Sequence, residues 1–338
     1  MKEYEIRPAD VFGEYLRLSA NDVAHFFADP SRRCGRPCPG CAAHGPGQFE
    51  FEKNGFTLVR CLSCGSLYVD PVPVESDLDA FYADSPSQQY WANVFFPSVA
   101  EARREKIFRM RVAKLAEMLK AETLRRVIDV GAGRGLFLEE CRSLKLGEEW
   151  WAVEPNRDMA ATCRGSGFPT FQGFSGQAAV DPVWAGSADL VTSFEVLEHV
   201  TDPSAFLVSL AALLRPGGLM MVTGVCGDGF DIRVLRQRSN TVSPPHHLNF
   251  LSRRGVSALL ARSGLEEVSL TTPGKLDVDI VRNMLSGESD IVVDDFLKMM
   301  LTESDQSVLD DFQNLLARHG MSSHMWIIAR KAMPEICR

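Results

Sequence analysis

Apolar and polar positions follow two periods along this chain, and the period changes near residue 34 and again near residue 99. In residues 1–33, Val11, Tyr15, Leu18, Val23, Phe26 and Phe27 recur at helical spacing. They predict a helical lead-in that packs on a later domain, with a dimer contact or a flap over a site as the alternative. From 34 to 72 the period shortens to two. Phe49-Glu50-Phe51 and Phe56-Thr57-Leu58-Val59-Arg60 read as a hairpin turning at Asn54-Gly55, and Gly65 to Val69 adds a strand closed by Asp70-Pro71. Residues 73–98 read as a connector carrying Phe81, Tyr82, Tyr90, Trp91, Phe95 and Phe96. These aromatics pack on two domains or, in the sharper reading, partly cover a ligand. The helical period returns from Val99 to Glu122, with Phe108, Val112, Leu115 and Leu119 as the stripe. Arg103, Arg104, Lys106, Arg109 and Arg111 fall mostly off it, on an expected solvated face.

Residues 99–338 then alternate short apolar runs with helical stretches. Strands are expected at 127–130, 150–153, 168–171, 189–194, 219–225, 265–270 and 324–329. Helices are expected at 136–144, from Pro203 behind the N-cap Asp202 to Leu214, and from Leu251-Ser252 to Gly264. A helical insertion at about 275–320 centres on Ile280–Met284, Phe296–Met300 and Leu309–Leu316. This rhythm predicts an α/β domain with a doubly wound, seven-stranded, mostly parallel sheet.

Composition narrows the partners. The chain is 45% apolar and 24% charged, with a formal net charge of −8 and a pI near 5.5. That balance disfavours a broad nucleic-acid or anionic-membrane surface. No apolar run reaches the roughly 18 residues that span a bilayer. The start Met1-Lys2-Glu3-Tyr4-Glu5 shows no apolar signal core, so a cytoplasmic location is expected. Four of the nine cysteines form two pairs, Cys38-Pro39-Gly40-Cys41 and, nineteen residues on, Cys61-Leu62-Ser63-Cys64. This C-x2-C…C-x2-C spacing places two thiolate knuckles around one Zn2+, a closed structural site in a small zinc ribbon. A redox dithiol would need one pair at a helix start, and neither has a helical sequel. Cys34 and His44 are expected bystanders.

The first strand of the large domain runs into glycines: Val127-Ile128-Asp129-Val130-Gly131-Ala132-Gly133-Arg134-Gly135, then Leu136. A strand that turns through glycines into a helix lets backbone approach a ligand closely. A dinucleotide loop wants G-x-G-x-x-G, which would put glycine where Leu136 stands. Here the spacing is G-x-G-x-G, with Asp129 two residues ahead. Three further stretches join it: Glu154-Pro155-Asn156 ending the second strand, Phe194-Glu195-Val196-Leu197-Glu198-His199-Val200 after the fourth, and Leu214-Arg215-Pro216-Gly217-Gly218-Leu219 before the fifth. Together they resemble the class I S-adenosylmethionine-dependent methyltransferases, over roughly 100–272 plus the final strand. The resemblance implies S-adenosylmethionine as cofactor. Gly131, Gly133 and Gly135 would approach its methionine moiety and Asp129 its ammonium group. Glu154, followed by Pro155, would take the ribose hydroxyls, and Phe174 in Gly173-Phe174-Ser175 the adenine. Phe194 and Glu195 would lie beside the methionine end, core packing being the alternative for Phe194.

Methyl transfer is an in-line displacement, and a general base is needed only where the acceptor must lose a proton. Ser243-Pro244-Pro245-His246-His247-Leu248-Asn249-Phe250 reads as an extended loop on the carboxyl side of the sheet. Adjacent histidines in extended chain cannot both face the core, so His246 or His247 is expected to face a cleft and serve substrate binding or proton transfer. Capping a helix or fixing the loop is the alternative. Glu195-x-x-Glu198-His199 would cluster on a helical turn and makes His199 a third catalytic candidate. It resembles a motif of quinone-biosynthesis O-methyltransferases in which equivalent residues can hold a divalent metal, structural and cofactor-lining roles being the alternative. Lys275, Asp277 and Asp279 either reach a polar acceptor or form a solvated turn.

The ribbon, the methyltransferase motifs and PPHHLNF together resemble bacterial enzymes from sugar, polysaccharide and secondary-metabolite clusters. The sugar C-methyltransferases among these carry a further long C-terminal domain. The expected function is methyl transfer to a small polar metabolite, a nucleotide-linked sugar or natural-product intermediate, with the ribbon and insertion as acceptor-side walls. Rival readings are an RNA or protein methyltransferase using the ribbon for recognition, and a non-catalytic cofactor-binding protein. No nucleic-acid or membrane partner is expected, and a homodimer stays open.

Overall fold

The computed structural model describes residues 2–119, 124–287 and 291–333. Two units emerge, each gathered from separated stretches of chain. One comprises Met1–Ala100, Val225–Val256 and Thr271–Met325; the other comprises Glu101–Gly224, Ser257–Leu270 and Trp326–Arg338. The lead-in, ribbon and connector expected before residue 99 all lie in the first unit, which also takes in the histidine turn and the helical insertion.

The second unit is built on a seven-stranded sheet. Its spatial order is Leu265–Thr271, His324–Lys331, Leu214–Val225, Ala188–Phe194, Arg126–Val130, Glu149–Val153, Thr170–Phe171. The five strands from Leu214–Val225 to Thr170–Phe171 pair in parallel. The central strand carries Val127 and Ile128, both fully buried, because a strand covered on both faces must be apolar throughout. From this strand the chain winds one way to Thr170–Phe171 and the other way through Ala188–Phe194 to Leu214–Val225. The order therefore reverses between Arg126–Val130 and Ala188–Phe194, and in such sheets ligands sit at the carboxyl ends flanking that reversal. Leu136–Ser143, Arg157–Gly165 and Pro203–Leu213 are the helices that follow the strands. Asp202 caps the last of these, accepting from Ser204 N and Ala205 N at 2.8 and 3.0 Å.

Several boundaries differ from expectation, two of them by more than a residue or two in a way that local structure explains. The fifth strand starts at Leu214 rather than Leu219: Leu214 already pairs with Ala188, and Arg215–Gly218 form an irregularity before Leu219 meets Leu190. Gly217, at φ +74°, allows that local detour without ending the strand. The helix expected from Val99 starts at Phe96, passes through a π-helical turn at Arg104–Phe108 and continues as Arg109–Met118. Residues 120–122 of that expectation lie outside the described residues.

The first unit carries a four-stranded antiparallel sheet in the order Asn249–Phe250, Leu67–Val69, Phe56–Arg60, Gln48–Lys53. Asn54 and Gly55 both have positive φ, +50° and +73°, the pair that a two-residue hairpin matched to strand twist requires. The edge strand Asn249–Phe250 is two residues long, too short for any periodic signal. It pairs Asn249 with Tyr68 and Phe250 with Leu67, and so brings the histidine motif onto the cysteine-bearing sheet. Ala9–Phe26 is the main lead-in helix. The insertion folds as Asp277–Gly287, Asp295–Glu303 and Gln306–Arg318, closing a core of Val278, Ile280, Val281, Leu301, Leu309 and Leu316. Among the described residues no helix is long and apolar enough to cross a membrane.

Candidate active site and metal centre

Gly131, Gly133 and Gly135 have φ of +73°, +56° and +80°, a region that side chains disfavour. A Cβ on Gly131 would lie 2.7 Å from Val196 Cγ2, and one on Gly135 would lie 3.3 Å from Cys163 Sγ. Around Gly133 no atom would lie within 4 Å of it, so the loop presents bare backbone to open space there. Glu154 braces this loop. Its Oε2 accepts from Gly133 N at 2.8 Å and its Oε1 from Asn156 N at 2.9 Å. Burial raises its pKa, and those two amides pull it back. Asn156 in turn caps Arg157–Gly165 through Asp158 N and Met159 N. Asp129 lies buried beneath the loop, where its Oδ1 accepts from Thr192 Oγ1 at 2.7 Å. Burial pushes its carboxyl up to about 7; Thr192 and Arg111 oppose the rise and Glu154 adds to it. Pro155 is exposed, and Phe174 projects into solvent with 64% of its surface exposed.

At the end of the fourth strand Phe194 packs edge-on against Phe137, with ring centroids 4.6 Å apart. Arg111 corrects the solvated-face expectation: it is only 3% exposed. Its guanidinium lies 4.5 Å from the Phe194 centroid, and its Nη2 donates to Glu195 Oε1 at 2.6 Å. Thr223 Oγ1 donates to the same Glu195 oxygen at 2.6 Å. Glu195 has φ +56°, rare for a side-chain-bearing residue, and the paired carboxylate holds it there. Sequence did hold a signal for Arg111. It stands three residues after Phe108 and four before Leu115, on the edge of the apolar stripe.

Glu198 is buried, and burial followed by Glu195 raises its carboxyl pKa well above the usual range. The helical turn expected over 195–199 is instead a single turn in which His199 N donates to Val196 O at 2.9 Å. His199 is half-buried.

In the first unit, Ser243–His247 is a turn rather than an extended loop. The Pro244–Pro245 peptide is cis, and His247 N donates to Ser243 O at 2.9 Å. The two imidazoles have different surroundings. His246 is 3% exposed and packs edge-on against Phe81 at 4.7 Å, with Tyr15 and Tyr82 beyond. Gln88 Nε2 lies 2.9 Å from its Nδ1. His247 is half-buried, and its Nδ1 lies 2.7 Å from the carbonyl oxygen of Thr241. Asp277 is buried among Gln313, Ser322 and Ser323 rather than on a solvated turn. Asp279 accepts from Glu3 N at 2.8 Å.

The cysteines converge as expected. Cys38 and Cys64 Sγ are 3.6 Å apart, as are Cys41 and Cys61, and all four sulfurs lie within 4.8 Å of one another. Four thiolates around Zn2+ at about 2.3 Å are separated by roughly 3.8 Å, so this donor set fits a tetrahedral ion. Ser252 ties the second knuckle down, donating to Cys64 O at 2.7 Å while its N–H donates to Ser66 Oγ at 3.0 Å.

Comparison with known proteins matches residues 99–270 to the methyltransferase domain family. The ubiquinone biosynthesis O-methyltransferase of Xanthomonas axonopodis pv. citri (strain 306) is 29% identical over 156 residues, 42% of this chain. The protein of the same name from Xanthomonas euvesicatoria pv. vesicatoria (strain 85-10) is 30% identical over 159 residues, again 42% of this chain. This chain spans 62% of the length of each of these relatives. Among solved structures, a SAM dependent methyltransferase from Archaeoglobus fulgidus is 18% identical, with a TM-score of 0.48, over 71% of this chain and 100% of that one.

Proposed function

Because this chain belongs to the methyltransferase domain family, we propose that it transfers a methyl group from S-adenosylmethionine to a small polar metabolite, a nucleotide-linked sugar or natural-product intermediate. The observation that carries the reading is the glycine loop beside the strand-order reversal. Three residues there have positive φ, no atom would lie within 4 Å of a Cβ on Gly133, and the carboxylate of Glu154 reaches the Gly133 amide. A bare, rigid backbone with an adjacent carboxylate suits a ligand that carries a ribose and no pyrophosphate.

Gly131, Gly133 and Gly135 form the cradle. Glu154, held by the Gly133 and Asn156 amides, would take the ribose hydroxyls. Asp129 supplies negative charge for the ammonium group. Phe194 and Glu195, locked by Arg111, wall the methionine end, and Phe174 closes over the adenine. When bound, S-adenosylmethionine supplies a sulfonium methyl, which bonds to the acceptor as the carbon–sulfur bond breaks and sulfur keeps the electron pair. Where the acceptor atom carries a proton, His247 Nε2 takes it. His246, enclosed by aromatic rings, supports the turn instead, which leaves His247 and His199 of the three histidine candidates. Cys38, Cys41, Cys61 and Cys64 hold a structural Zn2+ that fixes the ribbon.

Calorimetry with S-adenosylhomocysteine, followed by its formation from S-adenosylmethionine over an acceptor panel, tests the reading. The panel holds nucleotide-linked sugars, RNA, a protein extract and an oxygen acceptor of ubiquinone biosynthesis, since the curated relatives carry that name. Turnover with sugar nucleotides is the expected result. Binding without turnover on any acceptor would leave a cofactor-binding protein, and turnover on RNA alone would overturn the small-metabolite assignment.

A further inference from the structure

A hydrogen-bonded chain runs from the first helix after the fifth strand to one histidine of the pair. Asp231, on the helix Phe230–Leu235, is fully buried. Its Oδ2 accepts from Thr241 Oγ1 at 2.8 Å and from Ser239 Oγ at 3.4 Å. Thr241 N donates to Ser239 Oγ at 3.2 Å, and Val242 N to Ser239 O at 3.1 Å, which closes a tight loop around the carboxylate. The Thr241 carbonyl then faces His247 Nδ1 at 2.7 Å. A carbonyl oxygen only accepts, so Nδ1 must carry a proton, and in the neutral ring the lone pair falls to Nε2.

The neighbouring histidine has different surroundings: the side-chain amide of Gln88, and not a backbone carbonyl, lies 2.9 Å from His246 Nδ1. The other buried acid nearby, Asp277, is engaged elsewhere: Oδ1 with Ser323 N at 2.6 Å, Oδ2 with Ser322 Oγ at 2.5 Å and Gln313 Nε2 at 2.9 Å. Asp231 is therefore the acid that fixes the Thr241 loop.

We propose that Asp231 is a positioning residue: by anchoring Thr241 it places the carbonyl that fixes the His247 tautomer and makes Nε2 the basic nitrogen of this histidine. This rests on the reading of His247 as the proton acceptor, and it adds an acid that never touches substrate. A base must present its lone pair toward the proton it takes, and a ring free to change tautomer would present it part of the time only.

The test is nitrogen–proton correlation spectroscopy of the full chain labelled at its seven histidines, with His247→Gln identifying the signal. In the unaltered protein the His247 proton is expected on Nδ1. Thr241→Val, which removes the hydroxyl and keeps the carbonyl, and Asp231→Asn are expected to give mixed tautomers. Thr241→Ser is expected to restore the single form. A proton on Nε2 in the unaltered protein overturns the proposal, and that measurement stands even if Asp231→Asn fails to fold. A single Nδ1–H form persisting in both folded variants overturns it as well. On the sugar-nucleotide panel, Asp231→Asn is expected to lower kcat about 10- to 100-fold, leaving the S-adenosylmethionine KM within about twofold. Full turnover by His247→Gln would sink the base assignment and leave the tautomer result intact, so the two failures are distinguishable.

Discussion

In the unit that carries the glycine loop, the chemical groups belong to one sheet and sit close to strand ends. Asp129, Glu154 and Glu195 each lie on or just beyond a strand, and one buried arginine, Arg111, pairs with the last. In the unit that carries the cysteine knuckles, the groups are scattered through the sequence and joined by pairing at long range. Tyr68 meets Asn249, Cys64 meets Ser252, and Asp231 reaches His247 by way of Thr241. The first arrangement is a fixed feature of a topology, where the strand order alone dictates the position of the site. The second depends on tertiary contacts, so a single anchor such as a metal or a buried acid supports much of it.

That contrast can be broken from either side. The largest effect is expected from the metal. Zinc analysis should find one ion per chain, and chelation or Cys38→Ser should melt the first unit, since structural zinc contributes on the order of 10 kcal/mol to folding at neutral pH. Retention of a full melting transition after zinc removal would make the ribbon as self-sufficient as the sheet. Next comes Arg111→Met, which leaves Glu195 without its buried cation. A loss of about 3–5 kcal/mol in denaturant unfolding is expected, with donor affinity falling as Glu195 relaxes from φ +56°. Glu154→Gln is smaller: the fold should hold while calorimetric affinity for S-adenosylhomocysteine drops by about 1.5–3 kcal/mol, the worth of charged hydrogen bonds.

The gentlest effect per pH unit is a slope in stability. Burial raises the folded-state Asp129 carboxyl to about 7, above its value of 3.8 when unperturbed, so between those values the folded chain binds more protons than the unfolded one. Its contribution to stability is thus full below about pH 4 and is lost as pH rises toward 7, at no more than about 1.4 kcal/mol per pH unit. Thermal melts of Asp129→Asn should lack that slope. A cationic ligand favours the ionised carboxylate, so S-adenosylmethionine should protect the native chain more strongly as pH rises.

The legibility of the chain follows the same divide. The order Gly131-Ala132-Gly133-Arg134-Gly135-Leu136 distinguished the loop from a dinucleotide loop, because glycine spacing directly encodes backbone conformation. The two C-x2-C pairs encoded their convergence just as directly. Arg111 was harder to place, since charge alone argues for solvent and only its acidic partner, 84 residues away, explains its burial. The turn at Pro244–Pro245, the edge strand Asn249–Phe250 and the Asp231–Thr241 link were not legible at all. They are set by partners in other segments, and a one-dimensional pattern carries no record of those.

The two-residue strand Asn249–Phe250 also has a consequence for fidelity. Side chains alternate across a strand, so a slip of one position against Leu67–Tyr68 would turn Asn249 and Phe250 to the opposite faces of the sheet. The Ser243–His247 turn just before the strand would be displaced with it, and His246 would be pulled from its ring of aromatics. The Arg36 side chain guards against this, since its Nη2 donates to Leu248 O at 2.9 Å while its Nε donates to Val69 O at 3.1 Å. One guanidinium thus clips the neighbouring segments in a single alignment, acting as a ratchet tooth that keeps the histidine turn from sliding along the sheet.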